Sequence, residues 1–143
     1  DPNDSNDDSF LNLFPTNHKF YGYMDFFAWK NIHNPSVSLK MQPDPKVTVQ
    51  LDGHAFWLFS NEDAWYRANG VTQVRPVNAA ARDADPFVGT EVDLTVGYVP
   101  VKWLKLQVGY SHFFAGQYLT DTAAGPAGND DADFGYLQAI IAF

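Results

Sequence analysis

Residues Thr90–Phe114 read TEVDLTVGYVPVKWLKLQVGYSHFF. Val92, Leu94, Val96 and Tyr98 fall on one side of an extended chain, with Glu91, Asp93, Thr95 and Gly97 on the other. After Pro100 the alternation resumes: Leu104, Leu106, Val108, Tyr110 and Phe114 oppose Lys105, Gln107, Gly109 and Ser111. A period of two over consecutive runs means strands with one apolar and one polar face. The link at Pro100–Lys102 is too short for a parallel crossover, so the two runs form an antiparallel hairpin. Each run is roughly 10–13 residues long, against about 5–6 in a globular strand and about 9–11 for a tilted strand that crosses a bilayer. That length, with an aromatic near the far end of each run, points to a membrane barrel.

Composition sets the limits around this hairpin. The 143 residues have room for one domain, and 45% apolar content is ordinary for a folded chain. Aromatics are abundant, with 12 Phe, 7 Tyr and 4 Trp making 16% of the chain. There is no cysteine, which excludes disulfides and thiolate metal sites. A net charge of −8 argues against a nucleic-acid partner, which would require a basic stripe. No run of about 18 apolar residues occurs, so no transmembrane helix is expected. A mean hydropathy of −0.28 is compatible with a barrel, because alternation hides lipid-facing residues among polar ones. The first residue is Asp1 rather than Met, so a mature product or part of a longer chain is expected.

Along the chain, residues 1–9 (DPNDSNDDS) are an acidic tract expected to be a solvated loop or disordered. Residues 10–34 are aromatic but alternate poorly, and an extended segment is predicted near Phe20–Trp29. In 36–42, Val37, Leu39 and Met41 oppose Ser36, Ser38, Lys40 and Gln42, and PDPK at 43–46 is a tight turn. In 46–59, Val47, Val49, Leu51, Ala55, Trp57 and Phe59 oppose Thr48, Gln50, Asp52 and His54. A long connection, 60–87, carries Arg67, Arg75 and Arg82. A second, Gln117–Asp130, precedes a final strand over 132–143. Short and long connections thus alternate, the layout of an outer-membrane barrel with short periplasmic turns and long extracellular loops. On that placement strands 36–42, 90–99 and 132–143 run inward, while 46–59 and 103–115 run outward.

The segments LFPTNHKFYGYMDFF (13–27) and HNPSVSLKMQPDPKVTVQLDGHAFWL (33–58), with the terminal aromatic Phe143, resemble the C-terminal part of the alginate-export outer-membrane proteins. The resemblance runs from about Phe10 to Phe143. It implies a passive exporter or porin in the bacterial outer membrane, passing an anionic polysaccharide or small charged solutes. Phe143, with Ile141, Ala139 and Leu137 at alternate positions, is similar to the signal that barrel-assembly machinery reads. Members of the family are several hundred residues long, and the upstream residues of their basic constriction have no counterpart here. About five to six strands cannot close where at least about eight are needed. An open edge in lipid would leave backbone groups unpaired at several kcal/mol each. The expectation is therefore an all-β antiparallel barrel segment. It is completed by the remainder of the barrel, either in the same longer chain or in other copies, and surrounded by outer-membrane lipid.

On that reading the polar face supplies candidate pore-lining residues: Lys40, Gln50, Asp52, His54, Glu91, Asp93, Lys105 and Gln107. Lys40 and Lys105 stand against Asp52, Glu91 and Asp93, so this face alone is no anion filter, and basic residues elsewhere are expected to set any anion preference. Arg67, Arg75 and Arg82 are candidate loop residues for selectivity, since guanidinium groups bind carboxylates bidentately. The aromatics Trp57, Phe59, Tyr98, Trp103, Tyr110, Phe113 and Phe114 are expected to form interface girdles. Glu91 and Asp93 have the spacing of a carboxylate pair, but a lumen-lining role fits them better than acid–base chemistry. Ser111 and His112 are adjacent on a strand, face opposite sides, and cannot act as a nucleophile–base pair. His18, His33, His54 and His112 lack metal-ligand spacing, and neither an enzyme nor a cofactor is expected. The alternative is a soluble β-sandwich that binds carbohydrate through its aromatics.

Overall fold

A computed structural model describes residues 18–123 and 128–142. The acidic tract 1–9 and Phe143 lie outside the described residues. In chain order the elements are α1 (His18–Tyr21), β1 (Ile32–His33), β2 (Ser36–Asp44), β3 (Val47–Leu58), β4 (Trp65–Tyr66) and β5 (Gln73–Arg75). They continue with α2 (Ala79–Asp83), β6 (Phe87–Val101), β7 (Leu104–Ala115), α3 (Gln117–Asp121) and β8 (Ala132–Ile141). The five long strands form an antiparallel meander, β2-β3-β6-β7-β8, each paired with the next; β1 adds to β3 above β2. The all-β antiparallel fold expected from the alternation is the one found, and β6 runs 15 residues. A sandwich would lay a second large sheet over the first. Among the described residues the second sheet holds only β4 and β5, of two and three residues.

Register turns the alternation into rows. Met41, Val49, Val96, Val108 and Leu137 stand side by side across the sheet on one face. So do Leu39, Leu51, Leu94 and Tyr110 one step away. These apolar rows are uncovered: Leu39 is 53% exposed and Leu137 82%. On the opposite face Asp52 pairs with Asp93 and Asp93 with Ser111, while His54 pairs with Glu91. The connections separate by length as expected. The turns at Pro45–Lys46 and Lys102–Trp103 lie together at one end, where Val99 N donates to Lys46 O (2.8 Å). Pro43 and Pro100 sit beside these turns at register shifts, where a residue without an N–H interrupts no regular ladder.

The other end differs from the expectation. Residues 20–29 do not extend. Phe20 and Tyr21 end α1, and residues 22–31 continue as an irregular strap, with Asp25 (φ 56°) and Asn31 (φ 55°) in the left-handed region. The strap folds back over the inner face, and its rings bind it there. Phe27 stacks on Phe56 at 3.8 Å and on Trp65 at 5.2 Å, while Tyr23 stacks on Tyr136 at 5.5 Å. The long connections are not plain loops either: the first carries β4, β5 and α2, and the second carries α3. With the strap they enclose a core of Tyr21, Phe27, Phe56, Leu58, Trp65, Val88, Phe113 and Tyr118. Phe113 is 2% exposed in that core, which corrects its placement in an interface girdle. Phe113 and Phe114 are neighbours on a strand, so only Phe114 can point outward.

Candidate functional site

The inner face divides in two. At the long-loop end the strap covers it, and Glu91 and Asp93 are 0% and 1% exposed. Glu91 Oε1 accepts the Met24 backbone N–H at 3.0 Å. Gly22 lies directly over this carboxyl: a Cβ there would fall 2.4 Å from Glu91 Cδ, and its φ of +86° also favours glycine. His54 completes the group, its Nε2 3.9 Å from Asp93 Oδ2 and its Nδ1 3.3 Å from Asn34 Oδ1. Thus three of the eight expected lining residues, His54, Glu91 and Asp93, meet beneath the strap rather than at an open surface.

The other five, Lys40, Gln50, Asp52, Lys105 and Gln107, remain accessible toward the short-turn end. Lys40 pairs with Gln50 across β2 and β3, and Gln50 Nε2 donates to Asp52 Oδ2 at 2.8 Å. Gln107 Nε2 donates to Tyr136 Oη at 2.7 Å, and Tyr136 Oη also meets Thr95 Oγ1 at 3.3 Å. Tyr136 therefore reaches from β8 across β7 to β6. Gly109 permits this, since a Cβ there would fall 2.1 Å from the Tyr136 ring. Among the described residues no group of His, Asp and Glu is arranged to hold a metal ion.

The three loop arginines have three different surroundings. Arg75 is 2% exposed. Its guanidinium donates to Leu119 O (3.3 Å), to Thr122 O and Oγ1, and to Gly128 O, tying the first long connection to the second. Burial lowers its pKa from the ordinary arginine value, opposed by nearby Tyr118. Arg82 is exposed and pairs with Glu62 at 3.0 Å. Arg67 is exposed; its backbone N–H donates to Thr72 O and its carbonyl accepts the Gly70 N–H, both at 2.8 Å, while its side chain bonds to no described residue. Between the connections, Asp121 Oδ2 accepts the Asp85 N–H at 2.9 Å, and this bond with that from Gln117 holds its carboxyl below the usual range.

Sequence reasoning missed Asn31. Its Nδ2 donates to Ser60 O, Asp63 O and Ala64 O at 2.9–3.1 Å, and its Oδ1 accepts Ser60 N–H at 2.9 Å. One signal was present, since Asn is among the few residues that enter the left-handed region readily.

A sheet with an uncovered apolar face, a polar inner face and segregated short and long connections defines the wall of a β-barrel. The alginate export family matches residues 1–130. The chain belongs to that family. No curated protein matches it, and no solved structure does.

Proposed function

We propose that this chain forms part of the wall of a bacterial outer-membrane channel through which an anionic, alginate-like polysaccharide leaves passively. Family membership over residues 1–130 carries the reading, because it supplies both the export role and the substrate class. The fold supports it physically. The apolar rows offer a lipid-facing band, and the accessible inner face offers the mixed polar groups along which a charged chain slides without being trapped. Withdrawal of Glu91 and Asp93 beneath the strap shifts the local balance. The accessible lining keeps two lysines, Lys40 and Lys105, against one aspartate, Asp52. Since salt limits the reach of a charge to about 8 Å at physiological strength, this local balance outweighs the acidic total.

Strands that pair with the free edges of β2 and β8 complete the barrel, from the same longer chain or from other copies. The test is the reversal potential of the native channel in a planar bilayer under a salt gradient. Anion preference is expected, and cation preference overturns the exporter reading. Substituting Arg67 and Arg82 together by Ala is expected to lower that preference. Arg75 is left in place because it holds the two connections together.

A further inference from the structure

At the long-loop end, on the inner side of the sheet, a cavity of about 520 Å³ opens among the strap, the β4–β5 hairpin and the facing ends of β7 and β8. Pockets for small organic ligands span about 300–1000 Å³. Three kinds of surface line this one. Phe26, Trp65 and Phe113 make an apolar floor. Phe26 meets Phe113 edge to face at 5.4 Å, and Trp65 Nε1 donates to Phe26 O at 3.1 Å, so the rings are fixed in place. Asp25 and Asp130 bring carboxylate oxygens, and Arg67 brings a cation. Unlike Arg75 and Arg82, Arg67 has a guanidinium with no hydrogen bond or ion pair to any described residue.

We propose that this cavity is a subsite for a uronic-acid residue of an acidic polysaccharide, with Arg67 gripping the sugar carboxylate. The proposal rests on the exporter reading for its ligand class. A pyranose ring offers apolar C–H faces that pack on aromatic and aliphatic side chains, and hydroxyl donors that suit carboxylate acceptors. Its uronate carboxylate matches the planar fork of a guanidinium, bidentately. The two aspartates repel a carboxylate placed beside them. They therefore orient the ring, with hydroxyls toward Asp25 and Asp130 and the carboxylate toward Arg67. A neutral sugar retains the floor and the hydroxyl contacts but gains nothing from Arg67. The cavity has room for sugar units rather than a polymer, so it holds one point of a chain at the mouth.

The assembled channel in detergent is titrated with an alginate-derived oligouronate and with a neutral oligosaccharide of the same length. Tryptophan fluorescence reports binding, Trp65 being the ring in the cavity wall. Arg67→Ala is expected to weaken the oligouronate about tenfold and leave the neutral ligand unchanged, the loss of one charge-assisted contact. Arg67→Lys restores part of the affinity, and Lys46→Ala, at the far end of the sheet, changes neither ligand. Ala68→Trp fills the cavity and weakens both. Equal oligouronate affinity in the native channel and Arg67→Ala overturns the subsite, as does equal weakening of both ligands by Arg67→Ala. Ion selectivity is measured separately. An anion-selective channel whose oligouronate binding ignores Arg67 therefore sinks the subsite alone, whereas a cation-preferring channel sinks the exporter reading beneath it.

Discussion

Leu94 and Gln107 show how much one position in the alternation decides. Leu94 is 41% exposed within the outer apolar rows, while Gln107 turns inward to Tyr136. Arg in place of Leu94 is expected to cost about 2–4 kcal/mol near mid-membrane, whereas Gln107→Arg costs far less. Urea titration of the folded channel in lipid vesicles checks both, and equal costs would remove the facing assignment. Asp93 is unsuitable as the inward comparator, although it shares that face, because an Arg there meets the strap. Buried Arg75 makes the complementary point. Arg75→Ala leaves up to three backbone carbonyls and a hydroxyl without their donor, at about 1–3 kcal/mol for each buried acceptor left bare. Faster hydrogen exchange is expected in α3 and β5, with β6 and β7 unchanged.

Between the elements, the strap is held by stacked rings and by hydrogen bonds, and single side chains test the latter. Asn31→Ala removes the side chain that joins the strap to Ser60, Asp63 and Ala64. Limited proteolysis is expected to cut within residues 20–31 in that variant much faster than in the native chain, while the sheet stays intact. No change in cutting would show that the other contacts, the ring stacking and the Met24–Glu91 bond among them, hold the strap without Asn31. The Asp121–Asp85 contact gives a pH dependence. A carboxyl held below its ordinary value stabilises the folded loops at pH above about 3.9, and that contribution is lost as pH falls through the lowered folded value. Protection of the Asp85 amide, taken against its intrinsic exchange rate at each pH, is therefore expected to fall on acidification below about pH 4. In Asp121→Asn, whose amide oxygen still accepts but does not ionise, protection of the same amide should not change over that range.

For the whole molecule the controlling fact is that the sheet is open. Among the described residues β2 pairs on one side only, with β3, and β8 on one side only, with β7. Each unpaired backbone group facing hydrocarbon costs several kcal/mol, which drives the edges to find strands. In the native membrane the edge amides of β2 and β8 should therefore exchange as slowly as those of β6. Fast exchange at both edges would contradict a closed barrel. Intact mass of the native protein then separates the two sources of partner strands, since a longer chain and an assembly of 143-residue copies differ in mass.

The alternation in Thr90–Phe114 was enough to establish strands, facing, the hairpin and the separation of short from long connections, because a side-chain period of two is a local property of the backbone. The family resemblance was likewise legible in 13–27 and 33–58. What those residues do could not be read from period or propensity. The strap breaks the alternation, and its path is set by contacts far apart in sequence: Met24 with Glu91, Tyr23 with Tyr136, Asn31 with Ser60. For the same reason the eight inward polar residues read alike in sequence and separate into buried and accessible groups only when residues 18–31 fold across them. Arg67, Arg75 and Arg82 were equivalent as loop cations until long-range packing buried one, paired another and left the third at the cavity. Local periodicity selects the face of a side chain, whereas its exposure depends on what else the fold brings to that face.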